Sequence, residues 1–224
     1  MITGKQMNSI KDMMKLYAVT DRAWTGKQTL LEQTEAALRG GITCLQLREK
    51  NLSRDEILKE ALEIKDLCRS YNVPLIINDD PVTAVKSGAD GVHIGQKDMS
   101  LYQAREITGK NMIIGVTAAS PELAVKAERD GADYIGSGAV FGSTTKNDAK
   151  PLSHDILREI CASVSIPVVA IGGINRNNIL QLSGTGIAGT ALVSAIFAAE
   201  DIENECRYLL GLSERIISGK EATV

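Results

Sequence analysis

The chain has 224 residues, 44% hydrophobic and 24% charged, with a formal net charge of −3. That length buries a substantial core within one α/β domain, and the balance is that of an ordinary globular protein. Without a long run of one sign, the charge excludes an electrostatic footprint for nucleic acid or an anionic membrane, so any phosphate affinity must come from local cations, backbone amides or metal ions.

Residues 1–15 mix Lys, Gln, Asn and Asp with scattered apolar positions and read as an N-terminal extension, not a secretory leader. No stretch reaches the roughly 20 apolar residues of a membrane span. Cys44, Cys68, Cys161 and Cys206 lie far apart with no C-x-x-C pair, and read as reduced, mostly buried thiols of a cytosolic protein. With only His93 and His154 in the chain, a zinc site lacks clustered ligands.

From residue 16 onward, short β-branched runs alternate with longer segments of helical period. Strands are predicted over 16–20, 44–47, 75–77, 91–94, 112–116, 134–135 continuing towards 141, 168–171 and 191–193. The best helix covers 53–70, with apolar Ile57, Leu58, Ala61, Leu62, Ile64, Leu67 and Cys68 on one stripe and a capping box of Ser53 and Glu56. Arg39-Gly40-Gly41, Ser87-Gly88-Ala89-Asp90-Gly91 and Asp130-Gly131-Ala132-Asp133 read as helix-ending turns, Gly supplying a left-handed cap. The repeated Gly-Ala-Asp suggests repeated βα units. A last amphipathic helix begins near Asp201.

Strands apolar on both faces, alternating with helices, require a parallel sheet covered by helices. Eight such units in this length close most naturally into a single-domain (β/α)8 TIM barrel, over 16–215, with 216–224 as a C-terminal tail. Function in such a barrel sits where strands end.

After the second strand, alternation sends Gln46, Arg48 and Lys50 to one side and Leu47 and Glu49 to the other. Two cations and an amide suit an anion with several oxygens, although a solvated charge cluster is the competing reading. The third strand ends in Asn78-Asp79-Asp80 and the fourth in Gly95-Gln96-Lys97-Asp98. One carboxylate from each suits Mg²⁺ completed by phosphate oxygens and water, while helix capping by Asp79, Asp80, Asp98 or Ser100 competes. The fifth strand offers the hydroxyl of Thr117. The sixth runs into Phe141-Gly142-Ser143-Thr144-Thr145-Lys146, whose donors suit phosphate but equally suit a solvated loop. The seventh ends in Gly172-Gly173-Ile174-Asn175 and the eighth in Val193-Ser194-Ala195-Ile196, the recurrent phosphate-binding position of these barrels, with a structural Gly-Gly turn as the alternative. Two anion sites, one cationic and one built from backbone, point to two phosphorylated substrates.

Taken together, Leu16-Tyr17-Ala18-Val19-Thr20-Asp21-Arg22, Gln46-Leu47-Arg48-Glu49-Lys50, Ile77-Asn78-Asp79, Gly91-Val92-His93-Ile94-Gly95-Gln96-Lys97-Asp98, Gly115-Val116-Thr117, Thr144-Thr145-Lys146, Gly172-Gly173-Ile174 and Val193-Ser194-Ala195-Ile196 resemble the thiamine phosphate synthase family. The resemblance covers nearly all of the chain after residue 15. It implies condensation of 4-amino-2-methyl-5-(diphosphooxymethyl)pyrimidine with 4-methyl-5-(2-phosphooxyethyl)thiazole, releasing pyrophosphate through a dissociative pyrimidine-methyl cation.

By motif, it places the pyrimidine diphosphate on Gln46, Leu47, Arg48, Glu49, Lys50, Asn78, Thr117 and Lys146, and Mg²⁺ on Asp79 and Asp98. The thiazole phosphate falls to Ser143, Thr144, Thr145, Gly173, Val193 and Ser194. Arg48, Lys50, Thr117 and Lys146 are the implied catalytic set. Three departures stand out: no prolines in the loop before Lys146, Ala118-Ala119-Ser120 after Thr117 without the family's frequent His, and Asp80 where Arg is common.

Two other readings compete. A thiazole tautomerase, a barrel relative, would use a histidine near the fifth strand end and lack the metal carboxylates. A non-catalytic phosphate-ligand sensor would leave Asp79, Asp98, Arg48, Lys50 and Lys146 without a task. Composition leaves a homo-oligomer open.

Overall fold

Eight short runs rich in Ile, Val, Leu and Ala form the strands β1 (Leu16–Val19), β2 (Cys44–Leu47), β3 (Leu75–Asn78), β4 (Gly91–Ile94), β5 (Ile113–Thr117), β6 (Tyr134–Gly138), β7 (Val168–Ile171) and β8 (Gly189–Leu192). The structure, a computed structural model, describes residues 9–26, 28–142 and 151–219. All strands are parallel and close in chain order, β8 returning to β1 through Tyr17 opposite Ala191 while Tyr17 also faces Cys44 of β2. The fold is the expected TIM barrel. β8 starts two residues before the predicted run, because Thr190 pairs with Leu16 of β1 and Gly189 with Val169 of β7 although neither is an apolar strand former.

Around the barrel lie α2 (Leu30–Arg39), α3 (Arg54–Ser70), α4 (Pro81–Ser87), α5 (Leu101–Thr108), α6 (Pro121–Arg129) and α7 (His154–Ser163), preceded by a short α1 (Ile10–Met13) and followed by α8 (Ser194–Phe197) and α9 (Ile202–Ser218). The crossover after β7 carries only a 3₁₀ turn, Ile179–Leu182. Ser53 and Glu56 make both halves of the predicted capping box on α3. α1 lies before β1, and its Met13, with Met14, is buried beside Tyr17 and Cys44, so residues 10–14 plug the barrel at the strands' N-terminal ends. α9 closes the ring against α2 and runs to Ser218.

The helix-ending turns follow the expected chemistry with one change. Gly88 caps α4 at φ +66, and Gly41 and Gly131 take positive φ, but Gly40 stays right-handed at φ −72. What requires glycine at 40 is close approach: a Cβ there would lie 2.5 Å from Cys206 Cβ on α9. The Gly-Ala-Asp repeat has its own reason. Asp90 Oδ2 accepts from Leu75 N (2.7 Å) and Lys65 Nζ (2.6 Å), and Asp133 Oδ2 from Ile114 N (2.8 Å) and Arg105 (3.0 Å). Each aspartate thereby satisfies a strand-start amide on the preceding unit and ties it to a helix.

Two apolar clusters result. One fills the space between outer strand faces and helices; the other, inside the barrel, holds Tyr17, Cys44, Ile76, Tyr134, Val169 and Ala191. The four cysteines are free, with Cys44, Cys68 and Cys206 buried and Cys161 half-buried. Burial pushes the Cys68 and Cys206 thiols up to about 12 and Cys161 up to about 11, so none is a ready nucleophile. Among the described residues, no helix is long and apolar enough to cross a membrane.

Candidate active site

The C-terminal ends of the strands surround a cavity of about 550 Å³, floored by Tyr17, Val169, Gly136 and Ala191. Ten predicted site residues line it together: Gln46, Arg48, Lys50, Asn78, Asp79, Asp98, Thr117, Gly173, Val193 and Ser194. Two do not. Leu47 faces outward into the core beneath the helices, and Glu49 is drawn to Arg22, with Nε–Oε2 at 3.2 Å. The period of two that brings Gln46, Arg48 and Lys50 inward necessarily turns their neighbours away. Ser143, Thr144, Thr145 and Lys146 lie outside the described residues.

On the β2–β4 side, Arg48 has a side chain only 15% exposed, and its Nε has no partner among the described residues; Asp21 lies 3.9 Å from its Nη1. A guanidinium so placed keeps a donor that could be satisfied by an anion in the cavity. Lys50 Nζ sits 2.5 Å from Asp79 Oδ2. Asp79 holds φ +64, an uncommon left-handed backbone for a non-glycine residue, which turns the chain out of β3 as Asp79 N bonds His93 O at 2.8 Å. Its carboxyl lies close enough to that of Asp98 for each to shift the other's acidity. Burial pushes the Asp98 carboxyl up, and the adjacent Asp79 charge adds to it. Burial works the same way on Asp79, but the Lys50 ammonium and hydrogen bonds from Asp98 and Asn78 hold it below its usual value.

The competing capping reading divides between residues. Asp80 caps α4, accepting from Val82 N (3.0 Å) and Thr83 N (3.2 Å), and pairs with Arg54 of α3 at 2.7 Å. Ser100 caps α5. Asp79 and Asp98 cap no helix and stay with the cavity; Asp98 Oδ2 accepts instead from Gly95 N at 2.7 Å, fixing the turn that presents it. The charge that Asp80 brings, where Arg is common, is spent on this helix start and does not enter the cavity.

Across the mouth, Gly172 (φ +102) and Gly173 (φ +67) make the turn after β7. A Cβ on Gly173 would stand 2.7 Å from Phe141 O, so close approach of the β6 loop and backbone conformation both demand glycine. Asn175 and Asn178 donate side-chain amides to Gly173 O at 3.3 and 2.9 Å, locking the turn. Beside it Val193 leads into α8 without a side-chain cap.

Three groups at the floor are not singled out by the strand-end reading. Gln46 Nε2 donates to Tyr17 Oη at 2.8 Å, Tyr17 Oη meets Tyr134 Oη at 2.9 Å, His93 Nδ1 meets Tyr134 Oη at 2.9 Å, and His93 Nε2 meets Thr117 Oγ1 at 2.9 Å. So although the segment directly after Thr117 has no histidine, one reaches it from the neighbouring strand. The only signal in the sequence is alternation within β4, β5 and β6, which puts His93, Thr117 and Tyr134 on inward positions.

The chain matches the family model for thiamine monophosphate synthase over residues 16–196. It is 49% identical over 195 residues to the thiamine-phosphate synthase of Ruminiclostridium cellulolyticum, covering 87% of this chain and 93% of that one. With the thiamine-phosphate synthase of Clostridium acetobutylicum it shares 45% over 201 residues, 90% of this chain and 95% of that one. A solved thiamine phosphate pyrophosphorylase from Pyrococcus furiosus superposes with a TM-score of 0.86 at 38% identity, covering 93% of this chain and 99% of its own. The barrel, its mouth and these likenesses agree: the chain belongs to the thiamine monophosphate synthase family.

Proposed function

We propose that the chain joins 4-amino-2-methyl-5-(diphosphooxymethyl)pyrimidine to 4-methyl-5-(2-phosphooxyethyl)thiazole, giving thiamine phosphate and pyrophosphate. The observation that carries this reading is one cavity with two unlike arcs: half-buried Arg48 with Lys50, Asp79 and Asp98 on one side, and the Gly172–Gly173 turn with Ser194 on the other. The first arc suits a diphosphate, the second a single phosphate held by backbone amides and a hydroxyl.

The donor set near Asp79 fits a hard divalent cation. Two carboxylates in contact, one with its acidity weakened by the other, are relieved by positive charge, and among the described residues no third His, Cys, Asp or Glu completes a closed protein cage. Asp79 and Asp98 would hold Mg²⁺ with the remaining positions left to phosphate oxygens and water. When bound, the ion supplies neutralisation of the diphosphate.

The chain's own residues do the rest. Arg48 and Lys50, joined on this reading by Lys146, bind the diphosphate and stabilise its growing charge as the carbon–oxygen bond breaks with both electrons leaving on oxygen. Thr117 donates its hydroxyl to the same group. The thiazole nitrogen's lone pair then forms the new carbon–nitrogen bond, so no enzyme nucleophile is required, in keeping with thiols that burial holds protonated. The opposite arc holds the thiazole phosphate and thereby orients that nitrogen.

Incubating both substrates with the protein, with and without EDTA, and following pyrophosphate and thiamine phosphate tests the reading. Metal-dependent formation of both products is expected. Ligand binding without product favours a sensor. Metal-independent isomerisation of the thiazole alone favours the tautomerase, for which His93 beside Thr117 is the supporting feature.

A further inference from the structure

We propose, on the reading of the cavity as a two-substrate condensation site, that Tyr17, Tyr134 and His93 form a one-way chain of hydrogen bonds that aims the Thr117 hydroxyl proton at the departing diphosphate. None of the three needs to touch reacting atoms; they act as positioning residues through Thr117.

The proposed direction starts from the Gln46 end and runs link by link. Gln46 Nε2 is a donor only, so at 2.8 Å it occupies a lone pair of Tyr17 Oη. In the proposed direction Tyr17 gives its one proton to Tyr134 Oη at 2.9 Å, in preference to the Cys44 thiol that also lies in hydrogen-bonding contact with it. Tyr134 in turn gives its proton to His93 Nδ1 at 2.9 Å, which must therefore be the unprotonated ring nitrogen. The imidazole proton then resides on Nε2 and is donated to Thr117 Oγ1 at 2.9 Å. With one lone pair so engaged, Thr117 keeps its own proton for the cavity.

The two central links are sheltered from solvent. Tyr17 and Tyr134 are 1% and 0% exposed, so water does not interrupt the two central links. Burial also holds both phenols far above their usual acidity range, so each carries a single proton. Gly115 and Gly136 open the space that these side chains fill, a Cβ on Gly115 falling 2.0 Å from the Tyr134 ring and one on Gly136 3.0 Å from His93 Cε1. A second link fixes the far end: Gln96 Nε2 donates to the Thr117 carbonyl at 2.5 Å.

Polarity matters because a threonine hydroxyl is otherwise a free rotor. Run forward, the chain makes Thr117 a preorganised donor towards an anion, the arrangement that stabilises developing charge without reorganisation. Run in reverse, Thr117 would give its proton to His93 and face the diphosphate with lone pairs. The forward direction also leaves Gln46 Oε1 as an acceptor at the cavity floor, so a ligand bearing an N–H there, such as an aminopyrimidine edge, reinforces the direction that serves the diphosphate end. Binding at one end and donation at the other are thus coupled through buried groups.

Two measurements test this. Long-range ¹H–¹⁵N spectra of labelled protein resolve the two imidazoles, His154 serving as the internal reference. A neutral His93 protonated on Nε2 is expected, and a proton on Nδ1 overturns the chain. In kinetics, Tyr134→Phe is expected to lower kcat by roughly 10- to 100-fold with little change in KM. That is less than the roughly 10²- to 10³-fold cost of losing one donor outright, which is the expectation for Thr117→Val; Thr117→Ser should restore turnover. The double variant Thr117→Val/Tyr134→Phe should be no slower than Thr117→Val alone, whereas additive losses mean that Tyr134 acts by another route. Should Tyr134→Phe fail to fold, Tyr17→Phe runs the same cycle. A wild-type protein that makes no thiamine phosphate but shows His93 protonated on Nε2 removes the functional reading and leaves the chain standing; active wild type with the other tautomer does the reverse.

Discussion

Asp98 combines two duties that one substitution separates. Its Oδ2 accepts from Gly95 N, which shapes the turn, and its charge lies beside that of Asp79 at the cavity. Asp98→Asn keeps the size and the acceptor oxygen but removes the charge. We expect a fall in turnover on the order of 10²-fold, read by pyrophosphate release, with an unchanged melting temperature; near-normal turnover would end the assignment of Asp98 to the metal. Gly173→Ala acts on the other arc. A Cβ at φ +67, 2.7 Å from Phe141 O, forces the β6 and β7 loops apart, at a cost of about 1–3 kcal/mol for backbone strain of this kind. Chemical denaturation should report that loss, and KM for the thiazole phosphate should rise while KM for the pyrimidine diphosphate holds. At this scale the sequence was readable where neighbours share a strand: Gln46, Arg48 and Lys50 follow from alternation alone. Asp79, Asp80 and Asp98 were not separable, because a carboxylate after a strand can cap a helix or face the mouth, and only the backbone turn at Asp79 decides which.

Helix α9 illustrates what an element contributes apart from its neighbours. Gly211 lies exposed within it, and a Cβ there would meet nothing within 4 Å. Gly211→Ala is therefore expected to stabilise the protein by about 0.5–1 kcal/mol, the difference in helix propensity; a lower melting temperature would contradict the open surroundings. Between elements, Glu128 at the end of α6 accepts from Ser165 Oγ (2.5 Å), Ser165 N (2.8 Å) and Ile166 N (3.2 Å), anchoring the approach to β7. Those hydrogen bonds, the Ser165 hydroxyl foremost, hold its carboxyl below the ordinary glutamate value. A depressed folded pKa means a stabilising contribution that is present above the unfolded value and lost as pH falls through the folded one. Urea melts of wild type and Glu128→Gln should therefore differ at neutral pH and converge in the acid range below the ordinary glutamate value. If the gap stays constant with pH, the effect is shape and not charge. The Ser53–Glu56 box was legible in the sequence because capping is local; Glu128 was not, since its partners lie 37 residues away.

At the scale of the whole molecule, the barrel interior trades glycine for tyrosine. A Cβ on Gly115 would fall 2.0 Å from Tyr134 Cζ. Gly115→Ala should cost about 3 kcal/mol or more, at the upper end of what overpacking costs, and should dislodge the Tyr134 hydroxyl from Tyr17 and His93. A stable Gly115→Ala protein with unaltered His93 signals would mean that the interior is looser than its packing indicates. Strand number, strand–helix alternation, parallel pairing and the inward position of Gln46, Arg48 and Lys50 were all determined by the sequence alone, because the backbone periods of two and 3.6 are local properties. Which strand ends meet was decided only by closure. Barrel register, set by side chains packed across the interior, brings Asp79 of β3's end against Asp98 of β4's and carries Tyr17 to Tyr134, 117 residues along the chain. No local pattern encodes that meeting, since it depends on how Gly115 of β5 makes room for the Tyr134 ring reaching over from β6.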